Sequence, residues 1–158
     1  MKIRPYVDED RNEVLSLHHE LHSFEWPLRS LRSRSPSLSK EYFEKEYDDI
    51  MADEDCDWMF IVAEDHGSLI GYVFCLADKE LLDDPREQVH VLDIMVTEDA
   101  RGEGVGRTLM NAVEEFASDR GITRITLDVL SANERAVGFY KKLGFETAVF
   151  TMQMIMPT

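Results

Sequence analysis

The stretch VLDIMVTEDARGEGVGRTLMNAVEEFA, residues 91–117, decides the fold. The apolar, β-branched run from Val89 to Val96 reads as a strand. Thr97 to Ala100 follow, and Arg101-Gly102-Glu103-Gly104-Val105-Gly106 then opens a helix. Val105, Leu109, Ala112, Val113, Phe116 and Ala117 fall on one helical stripe, which Gly121 stops. Glycine lets the backbone adopt positive φ and approach a ligand closely. The first amides of the helix have no internal acceptor and point outward. With the helix dipole they form a seat for a phosphate or pyrophosphate. Arg101 and Arg107 add positive charge at the same end.

Two familiar glycine loops do not fit. A dinucleotide loop needs G-x-G-x-x-G, and counted from Gly102 its third glycine falls on Arg107. The gap of four residues after Val96 is too long for its tight turn, and only 28 residues follow Leu130. Asp128, at the end of the next strand, does stand where a ribose-binding acid would, so a dinucleotide or methyl-donor nucleotide is the runner-up. The P-loop reading fails more plainly: Gly102 to Gly106-Arg107-Thr108 is one residue short and lacks the lysine.

Outward from this core the pattern predicts β-α-α-β-β-β-α-β-α-β. Ile3 to Val7 is the first strand. Asp10 and Glu13 have capping-box spacing before a helix face of Val14, Leu17 and Leu21. Phe43, Tyr47, Ile50 and Met51 mark a second helix, capped by Ser39. Trp58 to Glu64 and Ser68 to Leu76 form a hairpin through Asp65-His66-Gly67. Ile125, Leu127 and Val129 alternate as a strand. Ser131 with Glu134 caps a helix over Ala136, Val137, Tyr140 and Leu143, which Gly144 ends. Phe145 to Met156 is the final strand. Neither repeat nor linker divides residues 1–158, so they read as one domain.

The composition narrows the function. Against 17 Lys and Arg stand 32 Asp and Glu, a net charge of −15. That argues against nucleic acid and against an anionic membrane as partners. At 44% hydrophobic residues the chain still has the means to fold. It has no apolar run near the ~20 residues of a membrane span, and MKIRPYVDED has no apolar signal core. Cys56 and Cys75 have neither metal-ligand nor disulfide-framework spacing. The expectation is a reduced, cytoplasmic protein without a structural metal. The charge is uneven: residues 101–142 hold seven Lys/Arg and six acids, a net +1, leaving −16 elsewhere. Residues 29–39 are basic and Ser-rich and read as a loop, and residues 41–57 carry nine acids and one lysine.

Arg101-x-x-Gly104-x-Gly106 resembles the Q/R-x-x-G-x-G/A motif of the GNAT superfamily of N-acetyltransferases. IRPYVDEDRNEVLSLHHEL, LDIMVTEDARGEGVG and LDVLSANERAVGFYKKLGF are similar to its first strand and helix, its central strand and loop, and its closing strand and helix. The resemblance covers most of the chain and is poorest over residues 23–57 and 77–88. It implies an α/β (α+β) fold with a central mixed, mostly antiparallel twisted sheet flanked by helices. It implies that Arg101, Gly102, Glu103, Gly104, Val105, Gly106 and Arg107 hold the pyrophosphate of acetyl-coenzyme A. Backbone groups of Ile94, Met95 and Val96 would pair with the pantetheine arm like a missing strand. Asn133 would touch coenzyme A, and Tyr140 would be the general acid that protonates the leaving thiolate. Without the resemblance, Tyr140 reads as a core tyrosine and Asn133 as a helix cap.

The resemblance further implies direct attack without an acyl-enzyme, which suits a chain whose cysteines have no motif-level His partner. A base must still take the ammonium proton. Asp93 in the central strand is the first choice, Asp128 the second, and His90 at the strand start a third. His18 and His22 are spaced to share a metal, but H-E-x-x-H is not met and no third ligand follows, so none is expected. In this superfamily the first two helices line the acceptor pocket, here residues 11–57, including the nine acids from Glu41 to Asp57. That favours a small cationic amine as substrate. Arg29, Arg32 and Arg34 cut against a uniformly acidic mouth. Competing acceptors are a peptide N-terminus or a protein lysine, and the competing class is a silent acyl-CoA-binding module. The resemblance leaves room for a homodimer.

Overall fold

The computed structural model describes residues 1–28, 40–78, 87–152, 154 and 156, with the backbone alone over 40–44. The strands are β1 (Lys2–Pro5), β2 (Asp57–Asp65), β3 (Ser68–Asp78), β4 (Gln88–Val96) and β5 (Ile125–Leu127). The helices are α1 (Arg11–Glu25), α2 (Lys40–Ala52), α3 (Val105–Ser118) and α4 (Glu134–Lys142). One sheet runs β1-β2-β3-β4-β5. Its first four strands are antiparallel neighbours, and β5 pairs parallel with β4. The predicted mixed, mostly antiparallel sheet with flanking helices is therefore present. The loop 29–39, Ser39 as a cap and the side chain of Phe43 lie outside the described residues.

Period-two alternation sends the two faces of the sheet into separate cores. Val73, Cys75, Val89 and Val91 pack under Leu109, Met110, Val113 and Phe116 of α3. Phe60, Val62, Tyr72 and Phe74 pack under Val14 and Leu17 of α1 and Tyr47 of α2. The hairpin turns through His66 and Gly67 at φ +50° and +83°, the left-handed pair that a two-residue turn needs. Helix α3 ends as predicted: Gly121 sits at φ +68°, and the amide of Ile122 donates to the Ala117 carbonyl at 2.9 Å.

Three local expectations are corrected. Asp10 and Glu13 do not form a capping box. Asp10 instead accepts from the Val7 amide and two Arg4 nitrogens at 2.7–3.0 Å, and Arg4 holds its carboxyl below the usual range. Glu13 reaches across to the Leu69 amide of β3 at 2.9 Å. The cap of α4 is Asn133 rather than Ser131: its side-chain oxygen accepts from the Ala136 amide at 3.1 Å. The third correction is the final strand. The described residues of 145–156 form no strand, and Val149, Phe150, Met152, Met154 and Met156 are exposed. The Phe145 amide is drawn back to the Tyr140 carbonyl at 3.0 Å, and β5 offers an edge only three residues long.

Candidate active site

The site begins where the sheet comes apart. β4 and β5 pair at Val89↔Ile125, His90↔Thr126 and Val91↔Leu127, and no further. From Leu92 to Val96 the edge of β4 away from β3 has no strand partner among the described residues. Ile94 and Val96 turn their backbone groups to this bare edge, inside a wedge whose other wall is β5 and α4, whereas the Met95 carbonyl faces Gly71 of β3.

At the mouth of the wedge the chain turns into α3. Gly102 and Gly104 sit at φ +85° and +83°, and a Cβ built on either would meet nothing within 4 Å. The loop is thus an open cradle with the first amides of α3 beside it. Gly104 is the N-cap and is left-handed, where L side chains cost about 1–2 kcal/mol. Gly104→Ala is expected to lower stability by about that much, read by denaturant titration. Gly106 has a different use: its Cβ would lie 3.1 Å from the Phe139 ring, so it lets α3 meet α4. Val105 is buried, which leaves its backbone at the loop, and Glu103 is exposed. Arg101 donates from Nε to the Val96 carbonyl at 2.9 Å, and its guanidinium carbon lies 5.6 Å from the centre of the Phe24 ring. It ties loop, strand and the end of α1 together. Arg107 is half exposed, 3.8 Å from Glu114.

On the other wall, Tyr140 is half-buried between Phe139 and Phe145, with ring centres 5.3 and 5.7 Å away. Burial pushes its hydroxyl above the usual phenol range, and the negative charges of Glu25 and Asp93 push the same way. Two carboxylates therefore act on one phenol. Asn133, at the start of α4, is buried and uses its side-chain oxygen for the helix cap.

Asp93 is turned to this place by a bulge. Phe74 pairs with Asp93 and Cys75 with Val91, so β4 carries one extra residue, Leu92. Strict alternation would put Asp93 in phase with Val89 and Val91, under α3. The bulge moves it to the face of α1 and α2. There Tyr47 Oη donates to Asp93 Oδ2 at 2.7 Å, and His18 Nδ1 lies 3.3 Å from the same oxygen and 3.2 Å from Tyr72 Oη. Tyr47 and Tyr72 are buried, and burial pushes both hydroxyls well above the phenol range.

Asp128 stands apart from this group. Its carboxylate is fully exposed, 4.0 Å from His90 Nε2, and His90 Nδ1 is 2.9 Å from Thr126 Oγ1. Cys75 is wholly buried, and burial pushes its thiol up to about 12, where it holds no thiolate at neutral pH. His18 and His22 have ring centres 4.1 Å apart, and among the described residues no group of three His, Cys, Asp or Glu is placed to hold a metal.

Residue-level reading from sequence missed His18, Tyr47, Tyr72 and Glu25. One signal was available: His18 lies on the Val14–Leu21 stripe, where a polar side chain must face the core. Three of the nine acids of 41–57 are used differently from the expected acidic mouth. Asp48 pairs with Arg11 at 2.7 and 2.9 Å, Asp49 with Lys45 at 2.7 Å, and Asp57 with Arg120 at 2.7 Å. Among the described residues, the carboxylates whose charge acts on Tyr140 are Glu25 and Asp93.

Known proteins share this fold. The profile described as the acetyltransferase (GNAT) family matches residues 19–145. An uncharacterized N-acetyltransferase of Methanocaldococcus jannaschii is 38% identical over 87 residues, 55% of this chain and 38% of that protein. Glucosamine 6-phosphate N-acetyltransferase 1 of Oryza sativa subsp. japonica is 30% identical over 115 residues, 72% of this chain and 67% of that protein. The alignments to the first curated relatives span only 38% and 47% of their length. Among solved structures, a point variant of the BH1408 protein from Bacillus halodurans superposes with a TM-score of 0.81 at 28% identity, covering 99% of this chain and 100% of that one. The acetyltransferase AAC(6')-Iy, solved with a coenzyme A bisubstrate analogue, has the same fold at a TM-score of 0.76 and 17% identity, covering 99% and 98%.

Proposed function

The chain belongs to the GNAT family of acetyltransferases, and on that premise we propose that it moves an acetyl group from acetyl-coenzyme A to a primary amine by direct attack. The observation that carries the reading is the bare edge of β4 beside an open glycine cradle, with Asp93 and Tyr140 at the wedge. A pantetheine arm is an extended chain of amides, and an unpaired strand edge is its complement. The cradle and the α3 amides suit a pyrophosphate. The residues that would hold acetyl-coenzyme A are therefore Ile94 and Val96 by their backbones and the 101–107 loop, with Asn133 closing the other side; Met95 turns its carbonyl to β3 instead. Acetyl-coenzyme A supplies the activated acyl group.

The chain's own groups do the rest. Asp93 takes a proton from the incoming ammonium, and an amide of the bare edge faces the charge that builds on the thioester oxygen. As the carbon–sulfur bond breaks, Tyr140 protonates the departing thiolate and regains its proton from the nitrogen of the new amide. The two acids are coupled. While Asp93 is charged it helps hold the Tyr140 proton in place. Once Asp93 has accepted the amine's proton, that restraint goes, and Tyr140 becomes the better acid as the thiolate leaves. Asp128 is the second candidate base. Its position in solvent beside His90 favours it less than the half-buried Asp93.

We read the acceptor as a small cationic amine, polyamine-like or a basic metabolite. The argument is that the charges of Glu25 and Asp93 both reach the Tyr140 hydroxyl. A cation arriving there is attracted. The test is acetyl-coenzyme A consumption, read as free thiol, across a panel of polyamines, amino sugars and N-terminal or lysine peptides. Turnover on the small cations at least tenfold above the peptides supports the reading. Turnover on peptides alone transfers the acceptor to proteins. Thermal stabilisation by acetyl-coenzyme A without turnover makes the chain a binding module, and no stabilisation overturns both.

A further inference from the structure

The polar cluster around Asp93 is out of keeping with its surroundings. Val14, Leu17, Phe60, Phe74 and Met95 otherwise make this core apolar. Into it are set a buried histidine and two buried tyrosine hydroxyls, from α1, α2 and β3. Burying such groups is unfavourable unless each finds a partner. Here they find one another and one carboxylate oxygen. Tyr47 donates to Oδ2 of Asp93 at 2.7 Å, and His18 Nδ1 is 3.3 Å from that same atom. Either tautomer satisfies His18 Nδ1, as donor to Asp93 or as acceptor from Tyr72 at 3.2 Å. Among the described residues, both contacts fall on Oδ2 and no hydrogen bond reaches Oδ1.

We propose that Tyr47 and His18 are positioning residues that pin Oδ2 of Asp93, so that Oδ1 is the oxygen presented to the acceptor amine. The inference rests on the reading of Asp93 as the base. A carboxylate on a short side chain rotates about two bonds. Anchoring one oxygen from two helices fixes both rotations and aims the other oxygen. The anchoring groups come from α1 and α2, the helices beside the wedge, so their seating on the sheet and the aim of the base are one arrangement. Tyr72 stands behind His18 and fixes that ring in turn.

The experiment is a double-mutant cycle on kcat with the best small amine of the panel. Tyr47→Phe is expected to lower kcat about tenfold, with the KM for acetyl-coenzyme A unchanged. In the Asp93→Asn background the same substitution is expected to do nothing further, because the group it aims is gone. His18→Leu should behave like Tyr47→Phe. His18→Asn, whose amide can occupy the place of Nδ1, should recover most of the loss. An equal fall in both backgrounds would mean that Tyr47 merely supports the fold, and it overturns the proposal. So does a wild-type kcat for Tyr47→Phe and His18→Leu when Asp93→Asn is impaired. A wild-type kcat for Asp93→Asn itself removes the base reading first, and this inference with it.

Discussion

Tyr140→Phe is expected to lower kcat about 10- to 100-fold while leaving the KM for acetyl-coenzyme A within about twofold. The substitution removes one hydroxyl and keeps the ring that packs between Phe139 and Phe145, so the wall of the wedge survives. What is lost is the proton for the thiolate. Because the leaving group is itself a weak base, the loss falls short of the largest general-acid effects. The wild-type phenol stays protonated well past neutrality, since burial and the charges of Glu25 and Asp93 raise it. The defect should therefore be constant from neutral into mildly alkaline pH. Steady-state kinetics across that range, with a melting curve for each variant, decides the matter. A kcat equal to wild type throughout would sink the role.

Gly71→Ala is expected to be the most damaging single methyl group in the molecule. Gly71 lies in β3 opposite Val96, and a Cβ there would stand 2.5 Å from the Met95 carbonyl oxygen. That neighbour is the backbone of a strand paired with β3, with no rotamer to change. Either β3 must draw away from β4 or the end of β4 must move into the wedge. The cost should be about 3 kcal/mol, the upper range for overpacking, or a fall in Tm of roughly 6–12 °C for a chain of this size. The displaced segment is Met95–Val96, of which Val96 is proposed to pair with the pantetheine arm. The KM for acetyl-coenzyme A should thus rise at temperatures where the variant is still folded. Calorimetry and donor titration at about 20 °C, near the usual stability maximum, separate the two effects. A Tm indistinguishable from wild type would contradict the close approach.

The elements that carry local signals were legible in the sequence. The α3 stripe, its Gly121 stop and the His66-Gly67 turn each depend on neighbours a few residues apart, and each stands as read. The glycine cradle was legible for the same reason. Asp93 shows where such reading ends. Its place in the central strand is legible, but its surroundings depend on the extra residue at Leu92. A bulge is a property of two strands in register, and no pattern within one strand announces it. Asp10, Glu13 and Ser131 were misassigned because a capping spacing says what a side chain can reach locally. It does not weigh Arg4, the Leu69 amide or Asn133 as competitors. The nine acids of 41–57 were counted as one field, whereas Asp48, Asp49 and Asp57 each have their own cation.

The wedge beyond Val91 matters to anyone improving this protein. Among the described residues no strand fills the register beyond Val91, and β5 is attached to β4 through three residue pairs. Substitutions that lengthen the β4–β5 contact would stiffen the free protein and fill the place proposed for the donor. A library selected on thermal tolerance alone would drift toward a closed sheet and a weaker transferase. Selection carried out with the donor present rewards the opposite change, because stability is then measured on the braced form. The same assay, run with and without one small molecule, would steer evolution in two directions.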